Sequence, residues 1–154
     1  MKPDVIDLEG AIDVHFHPYP DLIPRLTDDR GVVARAQELG MQALVLKCHF
    51  ESTVGRAYAM DQLFDGIRVF GGIVLNYCHG GINPDCVEAS IGLGAKEIWM
   101  PTVDSDYHAE VYGSTGDFDV QKGGKERKEG VRAVESGKLT LPGAFQLSAW
   151  RSIF

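Results

Sequence analysis

Four short apolar runs, separated by segments with helical periodicity, dominate the first hundred residues. The runs lie near residues 11–16, 42–48, 68–76 and 96–100. The third run, from Val69 to Asn76, is almost uninterruptedly apolar, which is typical of a parallel strand covered on both faces. The pattern therefore predicts four strands that alternate with helices, the arrangement of βα units around a parallel sheet.

Capping residues and glycines delimit three predicted helices between these strands. They run from Asp28, with Thr27 or Asp28 as the cap, to Gly40; from a cap at Ser52 to about Phe64; and from Asn83 to about Gly92. The third has the clearest start, because Asn83 can act as the cap, Pro84 suits the first helical position and Asp85 suits the first turn.

The chain changes character after Pro101. Thr102 to Glu129 is rich in Gly, Asp, Ser and Lys and is predicted to be a long loop. Val131 to Val134 is predicted to be a short strand that turns at Glu135–Gly137. The last fifteen residues have no clear period and end on the apolar residues Trp150, Ile153 and Phe154.

Composition limits the class of protein and its partners. A chain of 154 residues with 44% hydrophobic residues is large enough for one sizeable core. The net charge of −7 and the absence of a basic stripe in the sequence argue against nucleic acid or an anionic membrane as partner. The sequence has no apolar run of transmembrane length and no signal-peptide core, and its three cysteines lack CxxC spacing, so a cytoplasmic protein with reduced thiols is expected.

The first strand ends in a His-x-His pair. Because side chains alternate along a strand, His15 and His17 share one face, whereas Ile12, Val14 and Phe16 share the other. Two neutral imidazoles on one face suit a divalent metal ion, with zinc as the expected ion; the alternative is a pair of histidines in a polar turn.

The other histidines also follow predicted strands, and none is predicted in a helix. His49 follows the second strand, His79 the third and His108 the fourth, and Lys47 shares a face with His49. The carboxyl ends of parallel strands meet at one edge, where active sites form. Carboxylates that could join this edge are Asp21, Asp104 and Asp106, although a solvated loop position is the stronger interpretation for the last two.

These strand ends carry a resemblance to known metal-dependent hydrolases. Ile12-Asp-Val-His-Phe-His17 resembles the first-strand signature of the amidohydrolase superfamily and of the related polymerase-and-histidinol-phosphatase (PHP) hydrolases. The resemblance to an uncharacterised amidohydrolase-like family extends over about residues 10–139. It includes Leu46-Lys-Cys-His49, the glycine-rich third strand into Asn76, Gly81-Ile-Asn-Pro84, Trp99-Met-Pro-Thr-Val-Asp104 and His108.

The resemblance implies a (β/α) barrel on which a metal ion activates water. His15 and His17 would be ligands, and His49 would be a third ligand as in the PHP-type relatives. Lys47 lies on the wrong strand for a carboxylated bridging lysine, so it would contact a substrate anion or donate a hydrogen bond.

A full barrel takes about 250 residues, so the fold class expected here is α/β, a partial TIM-like barrel with about half of the units. Residues 1–139 would form the barrel domain and residues 140–154 a divergent tail, as in a truncated member of the family.

Three functions stay open at this point. The first is a hydrolase of small molecules, with Lys47 and Asp21 as catalytic residues and with Asn83, His79 and His108 in contact with the substrate. The second is a catalytically incomplete half-barrel that forms a homo-oligomer. The third is a module that binds a small anion at the helix N-terminus beside Asn83.

Overall fold

Strands and helices alternate through most of the chain in the computed structural model, which describes residues 6–116, 129–135 and 138–139. The elements are β1 (Ile12–Phe16), α1 (Asp29–Glu38), β2 (Ala43–Leu46), α2 (Val54–Leu63), β3 (Arg68–Val74), a 3₁₀ turn (Tyr77–His79), α3 (Pro84–Gly92), β4 (Glu97–Trp99), α4 (Asp106–Tyr112), β5 (Val134–Glu135) and β6 (Lys138–Leu139). Within these residues, no helix has the length and apolar content needed to cross a membrane.

The four strands β1 to β4 form one parallel sheet in chain order, and the sheet curls into a half-barrel. The register pairs Asp13 with Leu44, Leu44 with Val69, and Ile73 with Ile98. The predicted α/β class and partial barrel are therefore confirmed. All four carboxyl ends lie on the same edge of the sheet, which we call the carboxyl edge.

The core lies between the sheet and its helices. Leu44 and Leu46 of β2 are fully buried in a cluster with Val33 of α1 and Ala57 of α2. A second cluster joins β3, β4 and α3 through Ile73, Ile98 and Val87, among others. Because alternate residues point away from the helices, His15, Lys47 and Trp99 lie on the opposite, inner face of the half-barrel.

The predicted helix starts are confirmed for α1 and α3 but not for α2. The Asp28 carboxylate accepts from the Gly31 N–H at 2.7 Å, and the Asn83 carboxamide oxygen accepts from the Cys86 N–H at 3.3 Å. Helix α2 is preceded by Thr53 instead of Ser52, and the Thr53 hydroxyl makes no cap. That hydroxyl instead donates to the Leu46 carbonyl at 2.6 Å, which gives this buried hydroxyl the partner it needs.

The prediction of a continuous loop after Pro101 is wrong, because α4 lies within it. Ser105 caps α4 by accepting from the N–H of His108 at 3.0 Å, and Gly113, with φ near +85°, ends the helix. His108 is therefore in a helix and His79 is in the 3₁₀ turn, which corrects the expectation that no histidine is helical. Helix α4 was not predicted because its seven residues are too few to show a periodic pattern of apolar positions.

Strands β5 and β6 pair with each other in the antiparallel sense. The predicted strand at 131–134 is wrong for Val131, which forms an isolated bridge to Ser105 instead. Residues 136–137 and 140–154 lie outside the described residues, and so do the proposed tail and its apolar end.

Candidate functional site

Two imidazoles meet at the end of β1. The Nε2 atoms of His15 and His17 are 3.1 Å apart. Two nitrogen ligands at about 2.0–2.1 Å from one zinc ion are separated by roughly 2.9 Å at a right angle and roughly 3.3 Å at the tetrahedral angle. The observed separation falls within that interval, and it is also the distance of a hydrogen bond between the two rings.

Lys47 reaches the same point from the end of β2. Its Nζ lies 3.1 Å from His15 Nε2 and 4.8 Å from the ring centroid of Trp99, and the residue is only 2% exposed. Burial lowers the pKa of Lys47 to about 8, against the opposing effect of the Glu97 carboxylate. Among the described residues, no carboxylate lies within ion-pair distance of Lys47, so its charge is balanced only at longer range.

His49 lies behind His17, with the two ring centroids 4.7 Å apart. Its Nδ1 is 2.8 Å from the hydroxyl oxygen of Thr102, which follows β4. The fully buried Asn76, which follows β3, holds both neighbours: its amide nitrogen donates to the His49 carbonyl at 3.0 Å and to Thr102 Oγ1 at 3.0 Å. Three strand ends are thus tied together beneath the imidazoles.

His17 also contacts charged groups from the loop that follows β1. Arg25 Nη2 lies 3.2 Å from His17 Nδ1, and Asp21 Oδ2 lies 3.9 Å from the same nitrogen. Asp21 is fully buried in its side chain and forms an ion pair with Arg25 at 2.7 Å. The carboxylate that the sequence offered as a catalytic group is therefore held by a guanidinium.

The three imidazoles are neutral at physiological pH. Burial, followed by the nearby His49, Arg25, Lys47 and His15, lowers the pKa of His17 to about 3. Burial and Lys47 lower the pKa of His49 to about 4, and the same two causes lower that of His15. A neutral imidazole offers a lone pair, which is the form that a metal ion requires.

Three of the predicted substrate-contacting residues lie elsewhere in the described structure. The Asn83 carboxamide caps α3 and donates to the His79 carbonyl at 3.2 Å, while His79 Nδ1 donates to the Val74 carbonyl at 2.8 Å. His108 lies in α4 with its ring 4.5 Å from that of Tyr112. Their substrate role stays a prediction.

The two later aspartates have structural partners. Asp104 accepts from the N–H of Tyr77 at 2.9 Å, and Asp106 pairs with Arg132 at 3.0 Å. Asp106 also lines a separate cleft of about 250 Å³ between Pro101 and Tyr107, whose lining contains no histidine.

The sequence analysis did not identify four residues of the site as functional: Arg25, Asn76, Trp99 and Thr102. Asn76 carried a usable signal, because it is a polar residue directly after a buried strand, like the histidines. Arg25 carried none, since its contact with His17 depends on how the loop after β1 folds back.

The donor set is incomplete as it stands. In the described part of the chain, no three side chains of His, Cys, Asp or Glu are arranged to hold a metal ion together. Only the His15 and His17 nitrogens are in position, with His49 adjacent.

Comparison with known families assigns the chain to a group. A family of unknown function (DUF6282) matches residues 10–146. The chain belongs to this family. The DUF6282 match spans all four strands of the half-barrel and every residue of the carboxyl edge described above. No curated protein and no solved structure matches the chain.

Proposed function

We propose that the carboxyl edge binds a divalent metal ion, with zinc as the expected ion, and that the chain is a metal-dependent hydrolase of small molecules. The observation that carries the proposal is the 3.1 Å separation of the Nε2 atoms of His15 and His17. The resemblance of Ile12–His17 to amidohydrolase and PHP signatures supports the same chemistry. His49, a neutral imidazole beside His17, is the next ligand candidate.

His15 and His17 could hold such an ion only if Lys47 moves away from them. Lys47 Nζ lies at the His15 Nε2 lone pair that a metal ion would use. Two positive charges at one nitrogen repel each other, so Lys47 must leave this lone pair when the site is loaded. A bound divalent ion lowers the pKa of its water to near neutrality and polarises the scissile bond.

Lys47 then has a second task within the proposal. Its ammonium lies between the edge imidazoles and the Trp99 ring, and a buried cation with no carboxylate of the described residues within ion-pair distance favours an anionic group nearby. We assign to Lys47 the binding of an anionic part of the substrate. The Trp99 ring forms one apolar wall beside it, which excludes water from this contact.

Metal content tests the proposal directly. Purified protein is incubated with Zn²⁺, freed of excess metal and measured by atomic emission, and about one ion per chain is expected. His15→Ala together with His17→Ala should abolish the stoichiometric ion. His79→Ala is the control, because it removes an imidazole away from the pair, and it should retain the ion.

Hydrolase activity is measured on the same samples with ester, amide and phosphoester substrates. Activity that depends on the ion and on both histidines supports the full proposal. Unchanged metal content in the double variant would refute it.

A non-catalytic half-barrel that self-associates is the second candidate function. The observation that favours it is the exposure of Ile12 and Val14 of β1, which are 54% and 57% exposed. A homo-oligomer would cover them. Protein that binds no metal but sediments above the mass of one chain would support this candidate over the hydrolase.

The proposal also places the protein in the cytoplasm. Cys48, Cys78 and Cys86 are free thiols, as expected in a reducing compartment.

A further inference from the structure

The Nδ1 atom of His17 has two charged neighbours that make opposite demands on the ring. Arg25 can only donate hydrogen bonds and Asp21, as a carboxylate, can only accept them. Arg25 Nη2 is the nearer, at 3.2 Å, and Asp21 Oδ2 lies at 3.9 Å. The nearer neighbour therefore decides the tautomer.

The contact with Arg25 requires a lone pair on Nδ1. The proton of the neutral ring is then on Nε2, which lies 3.1 Å from His15 Nε2 and donates to it. His15 Nε2 then accepts from both His17 Nε2–H and Lys47, whose Nζ also lies 3.1 Å away, and this arrangement needs no metal ion. It is also the tautomer that cannot bind one, because the Nε2 lone pair is replaced by an N–H.

A ligating His17 needs the opposite tautomer. A proton must leave Nε2 for solvent and another must arrive on Nδ1, so the ring stays neutral. The N–H on Nδ1 then has no acceptor in Arg25, whereas the buried Asp21 carboxylate is within a small rotation. Histidine ligands generally donate their second ring N–H to such a carboxylate or to a carbonyl.

We propose that Arg25 and Asp21 exchange as partners of His17 Nδ1. Arg25 donates to this nitrogen in the metal-free protein, and Asp21 accepts from it in the loaded protein. Asp21 is thus a positioning residue and Arg25 opposes loading. The inference rests on the proposed metal site. It predicts that substitutions of Asp21 and Arg25, the two members of one ion pair, change the metal affinity in opposite directions.

Tautomers are read directly by two-bond ¹H–¹⁵N correlation NMR on protein with ¹⁵N-labelled histidine. His17→Gln assigns the signals. We expect the Nε2–H tautomer of His17 without metal and the Nδ1–H tautomer after addition of Zn²⁺. An Nδ1–H tautomer in the metal-free protein would overturn the inference, and this measurement needs no variant of Arg25 or Asp21.

Metal affinity of the two variants gives the second test, measured by competition of Zn²⁺ against a chromophoric chelator. Asp21→Asn should weaken binding by about 10- to 100-fold. Arg25→Met should leave the affinity unchanged or raise it, because the opposing donor and its charge are gone. The variant that combines Asp21→Asn with Arg25→Met should have the same affinity as Asp21→Asn alone, and it leaves neither charge of the ion pair buried without a partner.

Asp61 and Arg68 provide a matched control, since they form another Asp–Arg pair, with Nε and Oδ1 3.1 Å apart, at the opposite end of the sheet. Asp61→Asn and Arg68→Met should not change the affinity. Equal weakening by Asp21→Asn and Arg25→Met would mean that the ion pair is merely structural and would overturn the inference while leaving the metal site intact. Wild-type protein that binds no Zn²⁺ would refute both.

Discussion

Burial combined with neighbouring cations controls protonation at the carboxyl edge. His17 and His49 have pKa values near 3 and 4 because burial penalises the charged ring and Lys47 and Arg25 oppose a further positive charge. At physiological pH the site therefore has two cationic side chains, Lys47 and Arg25, but no imidazolium. Each neutral ring has one nitrogen with a lone pair, so a metal ion does not have to displace the second proton of an imidazolium.

The same pKa values predict that the metal-free protein loses stability in mild acid. The folded-state pKa of His17 and His49 lies below the ordinary value of 6.5, so the unfolded chain binds more protons between pH 6.5 and the folded values. The stabilisation is fully present above pH 6.5 and is lost as the pH falls. Between pH 6.5 and pH 5 the two shifts together correspond to about 3 kcal/mol, and solvent screening of these incompletely buried rings reduces the expected loss to about 2 kcal/mol, measured by urea unfolding with EDTA present.

His17→Gln should reduce this pH dependence to the part that His49 contributes, because glutamine does not titrate. Most carboxylates stay ionised above pH 5. Measurements in this range therefore separate the effect of the imidazoles from general acid unfolding. A free energy of unfolding that is constant from pH 7 to pH 5 would show that the edge imidazoles are not held neutral.

At the level of elements, the contact between α2 and β3 depends on a residue without a side chain. A Cβ built on Gly71 would lie 2.5 Å from the Thr53 carbonyl oxygen and 2.7 Å from the Val54 nitrogen, which are backbone atoms at the start of α2. The Thr53 hydroxyl, 3.0 Å from the N–H of Gly72, reinforces this contact. Helix α2 can therefore approach the sheet only at a glycine.

Gly71→Ala should destabilise the protein by roughly 1–3 kcal/mol, the usual range for overpacking, or more because backbone must move. Gly55→Ala is the control within the same helix: nothing lies within 4 Å of its Cβ position, and alanine favours the helix by about 1 kcal/mol. Denaturant unfolding compares them. Equal stability of the two variants would contradict the close approach of α2 to β3.

Capping signals explain which elements were predictable from the sequence. Asp28 and Asn83 start α1 and α3 as predicted because a cap acts through residues three positions apart. The start of α2 was misplaced because Thr53 bonds to residues of two strands, which are distant in sequence. Helix α4 has a cap at Ser105, but the helix is too short to show a periodic pattern of apolar residues, so it was not predicted.

The residues of the candidate site also fall into those that the sequence predicts and those that it does not. His15 and His17 were predictable because the alternation of a strand puts them on one face. The contacts of Arg25 with His17 and of Thr102 with His49 span 8 and 53 residues, and they depend on how loops and strands pack. Short-range patterns in the sequence therefore do not predict these contacts.

On the scale of the whole molecule, the described sheet has two open edges. In the described residues, β1 pairs only with β2 and β4 only with β3. The Asp13 carboxylate accepts from the N–H of His15 at 2.8 Å, which satisfies one amide of β1. The neighbouring Ile12 and Val14 remain more than half exposed, in contrast to the fully buried β2.

We expect the chain to self-associate through these edges. A two-fold axis parallel to the strands places β1 of one copy beside β4 of the other in the parallel sense, and two half-barrels then complete eight strands. Both histidine edges would lie at the same end. Sedimentation velocity should give twice the chain mass of 16.9 kDa.

Val14→Lys should shift the protein toward the monomer, because it places a charge on the surface that a partner would bury. Leu93→Lys is the matched control: this residue is 74% exposed at the end of α3 and lies in neither edge strand, and its substitution should not change the mass. A mass of one chain over a wide concentration range, unaffected by either substitution, would contradict the assembly. The half-barrel would then be stable with its edges open, and its metal site would belong to a single chain.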